Sequence, residues 1–234
     1  MIYSWAGASH VGRSRTNNED AFAPHADGTG SGPLVVAVAD GMGGHIAGEV
    51  ASRVAIEAAM AEAGSATERV LAGNSRVVEA VVADPSLAGM GTTLTLASFG
   101  ADGAVDLAHI GDSRAYLWRD GKLTQLTKDH TLVAELVAEG RLDPAEVRAH
   151  PQRNLITRVI GMGKAIDVDH VGLETLDGDR YLLCSDGLTS MLDDDEIAAK
   201  MTGEPVEAVW ALVEAANNAG GEDNITVIVV DVAA

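Results

Sequence analysis

Apolar residues along this chain fall into short runs broken by glycine and acidic turns, with helical periodicity in only a few places. Tyr3 to Ser9 reads as a first strand, and Leu34 to Ala39 as a second, fully apolar one. A glycine-rich segment from Ala26 to Gly32 reads as the turn between them. From Ile46 to Ala63 the small apolar residues Ala47, Val50, Ala51, Val54, Ala55 and Ala58 recur at helical spacing. A second helix is expected from Ala66 to Val82, ending before Asp84-Pro85.

The middle of the chain changes period. Thr92 to Phe99 is rich in β-branched residues and leucine, and Val105 to Ile110 returns after Asp102-Gly103. Ala115 to Trp118 and Leu123 to Leu126 flank Asp120-Gly121 in the same way. Asp-Gly tolerates the positive φ that tight hairpins need, so these strands form an antiparallel meander. A helical, irregular insert follows, with an apolar stripe of Leu132, Val133, Leu136 and Val137. Asp143-Pro144-Ala145-Glu146 has the N-cap, N1 and N3 residues of a further helix start. Strands resume at Ile166 to Leu173 and Arg180 to Cys184. A helix opens at Glu204-Pro205, with Val206, Val209, Trp210 and Val213 on one face, and Ile225 to Val232 is a last apolar strand.

Helices grouped apart from antiparallel strands define an α+β class rather than a doubly wound one. Two sheets packed face to face with helices outside would use every piece. No repeat or low-complexity linker divides residues 1–234, so one domain is expected, with a flap-like insert at about 131–158.

Composition narrows the function. The net charge of −19 disfavours nucleic acid and anionic membrane as partners. The acidity serves solubility, or part of it is concentrated at a cation site. The lone Cys184 cannot form an internal disulfide and lies in an apolar run, so it is read as core. No run of 18 apolar residues offers a membrane span, and the N-terminus lacks the features of a signal peptide. The chain as given is expected to be a cytoplasmic monomer, although a longer parent could carry an anchor.

Four aspartates stand out. Asp40, Asp112, Asp186 and Asp223 each border an apolar strand pattern, and three lie beside glycine. Taken singly, each reads as an acidic residue closing a strand in a turn. Together they would repel one another unless cations or protons compensated. Oxygen-only ligands suit Mg²⁺ or Mn²⁺ and disfavour zinc.

The stretches around them decide between these readings. They are Arg15-Thr16-Asn17-Asn18-Glu19-Asp20-Ala21, Asp40-Gly41-Met42-Gly43-Gly44-His45, Gly89-Met90-Gly91-Thr92-Thr93-Leu94, Gly111-Asp112-Ser113-Arg114-Ala115-Tyr116-Leu117, Leu183-Cys184-Ser185-Asp186-Gly187-Leu188 and Gly221-Glu222-Asp223-Asn224-Ile225-Thr226. In this order the six segments resemble the metal-dependent protein phosphatases, the type 2C serine/threonine family. Leu126-Thr127-Lys128-Asp129-His130 and His150-Pro151-Gln152-Arg153-Asn154 resemble its bacterial branch.

The resemblance implies a four-layer α-β-β-α sandwich of two antiparallel sheets flanked by helix pairs. It implies two or three Mg²⁺ or Mn²⁺ ions. Asp40 would bridge two of them, the Gly41 carbonyl would bind the first, and Asp186 and Asp223 the second. Asp112 and Asp186 would hold a weaker third ion, and Glu19 and Asp20 would orient ligands or bound waters. Arg15 would clamp the substrate phosphate, with Arg13 left as a surface residue. A metal-bridging hydroxide would then attack phosphoserine or phosphothreonine in line, opposing bacterial Ser/Thr kinases, with no Cys or Ser nucleophile.

Met42 stands where better-known members carry a histidine thought to protonate the leaving alcohol. His45 could substitute, or could simply face solvent at a helix start. The remaining histidines have no zinc-like spacing and are assigned no chemistry. The insert carries Arg141, Arg148, His150 and Arg153, which either meet phosphopeptide or form a solvated face. Two other functions follow from the same resemblance: a non-catalytic pseudophosphatase that binds partners, and a narrow phosphatase of one regulator protein. The first typically loses metal aspartates and the second usually lacks the clamp arginine, and this sequence retains both.

Overall fold

Ile225–Ala233 alternates two apolar faces. Ile225, Val227 and Val229 pack toward helices, whereas Ile228, Val230 and Val232 pack toward a second sheet. Strands buried on both faces read as continuous apolar runs, which is why this one was legible. The structure, a computed structural model, describes residues 1–43 and 46–234, with the backbone alone at 46.

The strands are β1 (Ile2–His10), β2 (Asp20–Ala23), β3 (Gly28–Ser31), β4 (Leu34–Met42), β5 (Gly91–Thr92), β6 (Leu94–Phe99), β7 (Ala104–Ile110), β8 (Arg114–Arg119), β9 (Lys122–Gln125), β10 (Asp169–Glu174), β11 (Arg180–Cys184) and β12 (Ile225–Ala233). The helices are α1 (Ile46–Ala61), α2 (Ala66–Ala83), α3 (Leu132–Ala138), α4 (Asp186–Thr189), α5 (Asp194–Ala198) and α6 (Pro205–Asn218). One sheet has the order β3-β1-β12-β11-β8-β9 and the other β10-β7-β6-β4-β2, with β5 paired to β4. The paired strands run antiparallel throughout. The expected four-layer α-β-β-α sandwich is the observed architecture.

Three cores hold the layers. Between the sheets lie Val36, Val38, Leu107, Leu183, Ile228 and the rings of Tyr3, Phe99 and Tyr181. Phe99 sits 5.3 Å from Tyr3 and 5.0 Å from Tyr181 by ring centroids, in tilted and edge-on geometries. Truncating such a buried ring costs about 3–5 kcal/mol. Ala37, Ala39, Leu94 and Leu96 turn the other way, onto Ala51, Ala55 and Val70 of the first helix pair. Leu182, Cys184, Val227 and Val229 turn onto Leu188, Ile197, Leu212 and Ala216. Cys184 is fully buried, and burial pushes its thiol up to about 12, so it is core as read.

Several local expectations are corrected. The segment 26–32 is not only a turn, because Gly28–Ser31 pairs with β1. Ile166 to Val168 precede β10, which starts at Asp169. The Asp143 start leads into a 3-10 turn, Pro144–Ala149, in which Asp143 caps the Ala145 N–H at 2.9 Å. On α6 the buried residues are Pro205, Ala208, Val209, Leu212, Val213, Ala216 and Asn217, whereas Val206 and Trp210 are exposed. On α1 the buried face runs through Ala51, Ser52, Ala55, Ile56 and Ala59, one position round from the predicted stripe.

Candidate active site

The antiparallel registers bring the acidic residues to one end of the sandwich. Asp20 opens β2 directly opposite Asp40 near the end of β4. Cys184, ending β11, pairs with Arg114, which starts β8, so Asp186 and Asp112 leave the sheet side by side. Asp223 precedes β12, which is antiparallel to β11. Gly187 follows Asp186 against the Asn224 carbonyl, where a Cβ would collide, so this turn and the Asp223 turn can meet only with glycine there.

Backbone contacts fix Asp40. Its N–H donates to Thr93 Oγ1 at 2.9 Å, and its carbonyl accepts both the Thr93 N–H and the Thr92 hydroxyl at 2.9 Å. Gly41 N–H donates to the Glu19 carbonyl at 3.1 Å, which ties β4 to the 12–19 loop. Asn224 anchors that loop. Its side-chain nitrogen donates to the Val11 and Asn17 carbonyls at 3.0 and 2.9 Å, and its Oδ1 accepts the Glu19 N–H at 2.8 Å. Ser185 Oγ donates to Asp20 Oδ2 at 2.7 Å and accepts the Thr226 N–H at 3.0 Å.

The carboxylates have few partners for their charge. Burial pushes Asp20 up to about 7, with Asp186 and Asp223 adding to the rise against hydrogen bonds from Thr226 and Ser185. Burial and repulsion from Asp223 push Asp186 up to about 6, despite a hydrogen bond with Asp40 and attraction to Arg15. Asp40 is held well above the usual carboxylate range by burial, then by Asp20, Asp186, Asp112 and Asp223. Burial and Asp186 do the same to Asp112. Asp20 Oδ1 and Asp186 Oδ1 are buried without a hydrogen-bond partner. Unsatisfied buried acceptors of this kind are uncommon, and a cation would satisfy them.

The donor set therefore fits hard divalent cations: oxygen only, several carboxylates, and an adjacent chain turn at Gly41. Among the described residues, no three His, Cys, Asp or Glu side chains converge as a ready-made metal cage. Asp223 in particular is engaged, its Oδ2 by Arg15 Nη2 at 2.7 Å and its Oδ1 by the Asn224 N–H at 2.8 Å. Arg15 stands at the rim with its side chain 53% exposed. Arg13 instead reaches Asn218 on α6 at 2.9 Å, away from the carboxylates. His45 lies outside the described residues.

Beside the carboxylates a cleft of about 860 Å³ separates the insert from α4 and α5. Asp112 and Asp186 line it, as do Arg148 and Arg153 from the insert, but not Arg141 or His150. Arg148 donates to the Leu192 carbonyl at 3.0 Å, docking the insert across the cleft, and Arg141 pairs with Glu139 instead.

Sequence reasoning missed the residues behind Asp112. Arg114 holds Asp129 through two hydrogen bonds of 2.8 and 2.7 Å. His109 and His130, both buried, lie 4.8 Å apart by ring centroids with their planes tilted by 36°. Burial and the neighbouring His130 push His109 down to about 4, and burial lowers His130 against the pull of Asp169. The signal available was the Asp129-His130 pair within a recognised stretch, to which no chemistry was attached.

Comparison with known proteins agrees with this architecture. A family model described as protein phosphatase 2C matches residues 6–219. The chain is 45% identical over 243 residues to the serine/threonine protein phosphatase PstP of Mycobacterium tuberculosis, covering 99% of this chain and 45% of that protein. It thus spans about half the length of that relative. It is 40% identical over 233 residues to the protein phosphatase PhpP of Streptococcus pneumoniae, covering 94% of each. The crystal structure of the PstP catalytic domain in complex with two manganese ions superposes with a TM-score of 0.88 at 42% identity, covering 100% of this chain and 99% of that one. The phosphatase MsPP from Mycobacterium smegmatis, in complex with cacodylate, superposes with a TM-score of 0.86 at 40% identity over 98% of both chains. The chain belongs to the protein phosphatase 2C family. Among its described residues no helix is long and apolar enough to cross a membrane.

Proposed function

We propose that the chain is a metal-dependent protein phosphatase acting on phosphoserine and phosphothreonine in proteins. One observation carries this reading: Asp20, Asp40, Asp112 and Asp186 lie at one end of the sandwich, repel one another when ionised, and leave two buried oxygens unpartnered. Structural carboxylates are normally satisfied, so a concentrated deficit of this kind calls for a bound cation. The relatives named above are phosphatases, and one of them was solved with two manganese ions.

In this reading Asp40, the Gly41 carbonyl, Asp186 and Asp223 hold two Mg²⁺ or Mn²⁺ ions, and Asp112 with Asp186 serves a third. The ions supply an acidified water as nucleophile and offset the charge that develops on the phosphoryl group. The chain's own groups do the rest. Asp20, fixed by Ser185, and Glu19, fixed through its backbone by Asn224, orient the waters around the centre. Arg15 is available to exchange its bond with Asp223 for a phosphate, whose oxygens match the planar guanidinium fork. Its exposure leaves it free to swing between the two anions. Retention of these carboxylates and of Arg15 weighs against a non-catalytic binding role.

The test is hydrolysis of a phosphothreonine peptide with Mn²⁺, with Mg²⁺ and with excess chelator. Turnover that vanishes with chelator and with Asp186→Ala supports the assignment. Turnover that survives both would mean that the hydrolysis belongs to a contaminant or that the site is elsewhere. A panel of phosphoproteins then separates a broad kinase-opposing enzyme from a phosphatase of a single regulator.

A further inference from the structure

Gly111, immediately before Asp112, is held on both sides by one residue. Its N–H donates to His130 Nδ1 at 3.0 Å, and its carbonyl accepts the His130 backbone N–H at 2.7 Å. Gly111 has φ +113°, a conformation that favours glycine, and the chain reverses there between β7 and β8. His130 thus grips the residue whose turn aims Asp112.

The tautomer follows from proton counting. A backbone N–H can only donate, so Nδ1 accepts and the ring proton sits on Nε2. Nε2 faces Asp169 Oδ2 at 3.2 Å and also Arg158 Nη1 at 3.3 Å. The guanidinium can only donate, so a protonated Nε2 bonds Asp169 and not Arg158, whose Nη1 is taken up by Asp169 Oδ1 at 2.9 Å. Histidine ligands of metals are oriented in this two-sided way by their outer partners. Here the same device orients a carboxylate-bearing loop.

His130 also stands at the root of the insert. Its carbonyl accepts the Thr157 N–H at 2.8 Å, and the next pair, Thr131 and Ile156, forms an antiparallel bridge. Leu132 N–H donates to the Leu155 carbonyl at 2.9 Å. One residue therefore touches the Asp112 turn and both ends of the insert.

We propose that His130, as the neutral Nε2–H tautomer, is a positioning residue that sets the Gly111-Asp112 turn and couples it to the insert. The inference rests on the reading of Asp112 as part of the phosphatase site. Aiming Asp112 depends on the acceptor at Nδ1, and the Nε2 contact with Asp169 reaches the far end of the insert through Arg158, which Asp169 holds.

The test compares His130→Asn, His130→Gln and His130→Ala in the whole chain. Asparagine offers an acceptor close to the Nδ1 position, whereas glutamine reaches toward Asp169 and leaves the Gly111 N–H without a partner. Nitrogen NMR of the wild type should find Nδ1 unprotonated and Nε2 protonated at about pH 7. Hydrogen exchange at the Gly111 amide should quicken by about tenfold or more in the glutamine and alanine variants and stay within about threefold in the asparagine variant. The weakest Mn²⁺-binding event in calorimetry should weaken by about tenfold in the glutamine variant, with tighter binding unchanged. Its kcat on an aryl phosphate should fall by about tenfold at constant KM, with recovery in the asparagine variant.

A protonated Nδ1, an unchanged Gly111 amide in the alanine variant, or an asparagine variant no better than glutamine would each overturn the assignment. Should the alanine variant fail to fold, the asparagine–glutamine contrast decides. A wild type that turns over nothing with Mn²⁺ would sink the phosphatase reading alone, because the tautomer and the exchange data speak to His130 without turnover.

Discussion

Buried acidic residues lie at both ends of the sandwich, and two groups of them are treated in opposite ways. At the far end Asp179 is 2% exposed and fully satisfied. Arg119 grips it with two hydrogen bonds of 2.7 and 2.6 Å, while the Thr175 hydroxyl and the Leu176 N–H donate at 3.0 and 2.7 Å. Arg180 holds Asp231 in a similar fork, donating to Oδ1 from Nε at 2.5 Å and to Oδ2 from Nη2 at 2.6 Å. At the near end Asp20, Asp40, Asp112 and Asp186 face chiefly one another. Burial raises Asp179 too, yet Arg119 and the neighbouring donors outweigh it and hold that carboxyl below the ordinary range. Burial alone therefore does not mark a functional carboxylate; burial without a counter-charge does.

The sharpest break in this comparison is Asp40→Asn. It keeps the shape and removes the charge. Turnover should fall by at least about 10³-fold, roughly 4 kcal/mol of barrier, because a hard cation loses its central carboxylate. Thermal stability in chelator should hold or rise, since one of several repelling charges is gone. A variant that loses both stability and activity would place Asp40 with the satisfied carboxylates instead.

Asp179→Ala is the mirror experiment. It strands the Arg119 fork and the Leu176 N–H, so unfolding free energy should drop by about 3 kcal/mol. Denaturant titration measures this, and kcat of the folded fraction should not move. A tenfold fall in kcat would mean that the two ends are coupled through the strands.

Acidity should separate the ends more gently. Burial and mutual repulsion push Asp20 up to about 7 and Asp186 up to about 6, both above the ordinary carboxylate value of about 4. Between about pH 4 and 7 the folded, chelated chain holds protons that the unfolded chain has released. Its stability is therefore greatest at the acid side of that window and declines as pH rises through it. Melting temperature in chelator should fall by several degrees from about pH 5 to 8, and Mn²⁺ should flatten or reverse the trend. Asp179 works the other way: its contribution is present above the ordinary carboxylate range and is lost only as pH falls through its lowered value. A flat profile in chelator would contradict the proposed repulsion.

How much of this was legible before the structure depends on what each element packs against. β11 and β12 were plain because both faces are apolar. β2 and β3 were not: Asp20–Ala23 is short and only partly buried, and Gly28-Thr29-Gly30-Ser31 carries almost no side chain to betray a strand. On α6 the reading followed the large residues, but the helix meets β1 and β12 through Ala208 and Ala216 beside Ala6 and Ala8. Small residues allow that approach and carry little hydrophobic signal, so exposed Trp210 drew the predicted face away from buried Asn217, which donates to the Val213 carbonyl. Resemblance to the family's six segments, not spacing alone, made Asp40, Asp112, Asp186 and Asp223 legible as a set. Their partners were hidden because hydrogen bonds such as Asn224 to Glu19 cross 205 positions of chain.

The smallest test asks whether the far end needs a fork or merely a charge. Arg119→Lys keeps the positive charge beside Asp179 but replaces two parallel N–H donors with one mobile ammonium. The Arg119 side chain is 34% exposed, so water can repair part of the loss at its outer edge, but Asp179 at 1% side-chain exposure has no such recourse. The expected cost is about 1 kcal/mol in denaturant titration, well under that of Asp179→Ala. No measurable cost would mean that charge alone satisfies a carboxylate at this end. The near end would then lack only positive charge, which Mn²⁺ or a nearby lysine could supply equally well. A cost near that of Asp179→Ala would instead show that donor geometry governs burial here. It would sharpen the contrast with Asp20, Asp40, Asp112 and Asp186, which face chiefly one another.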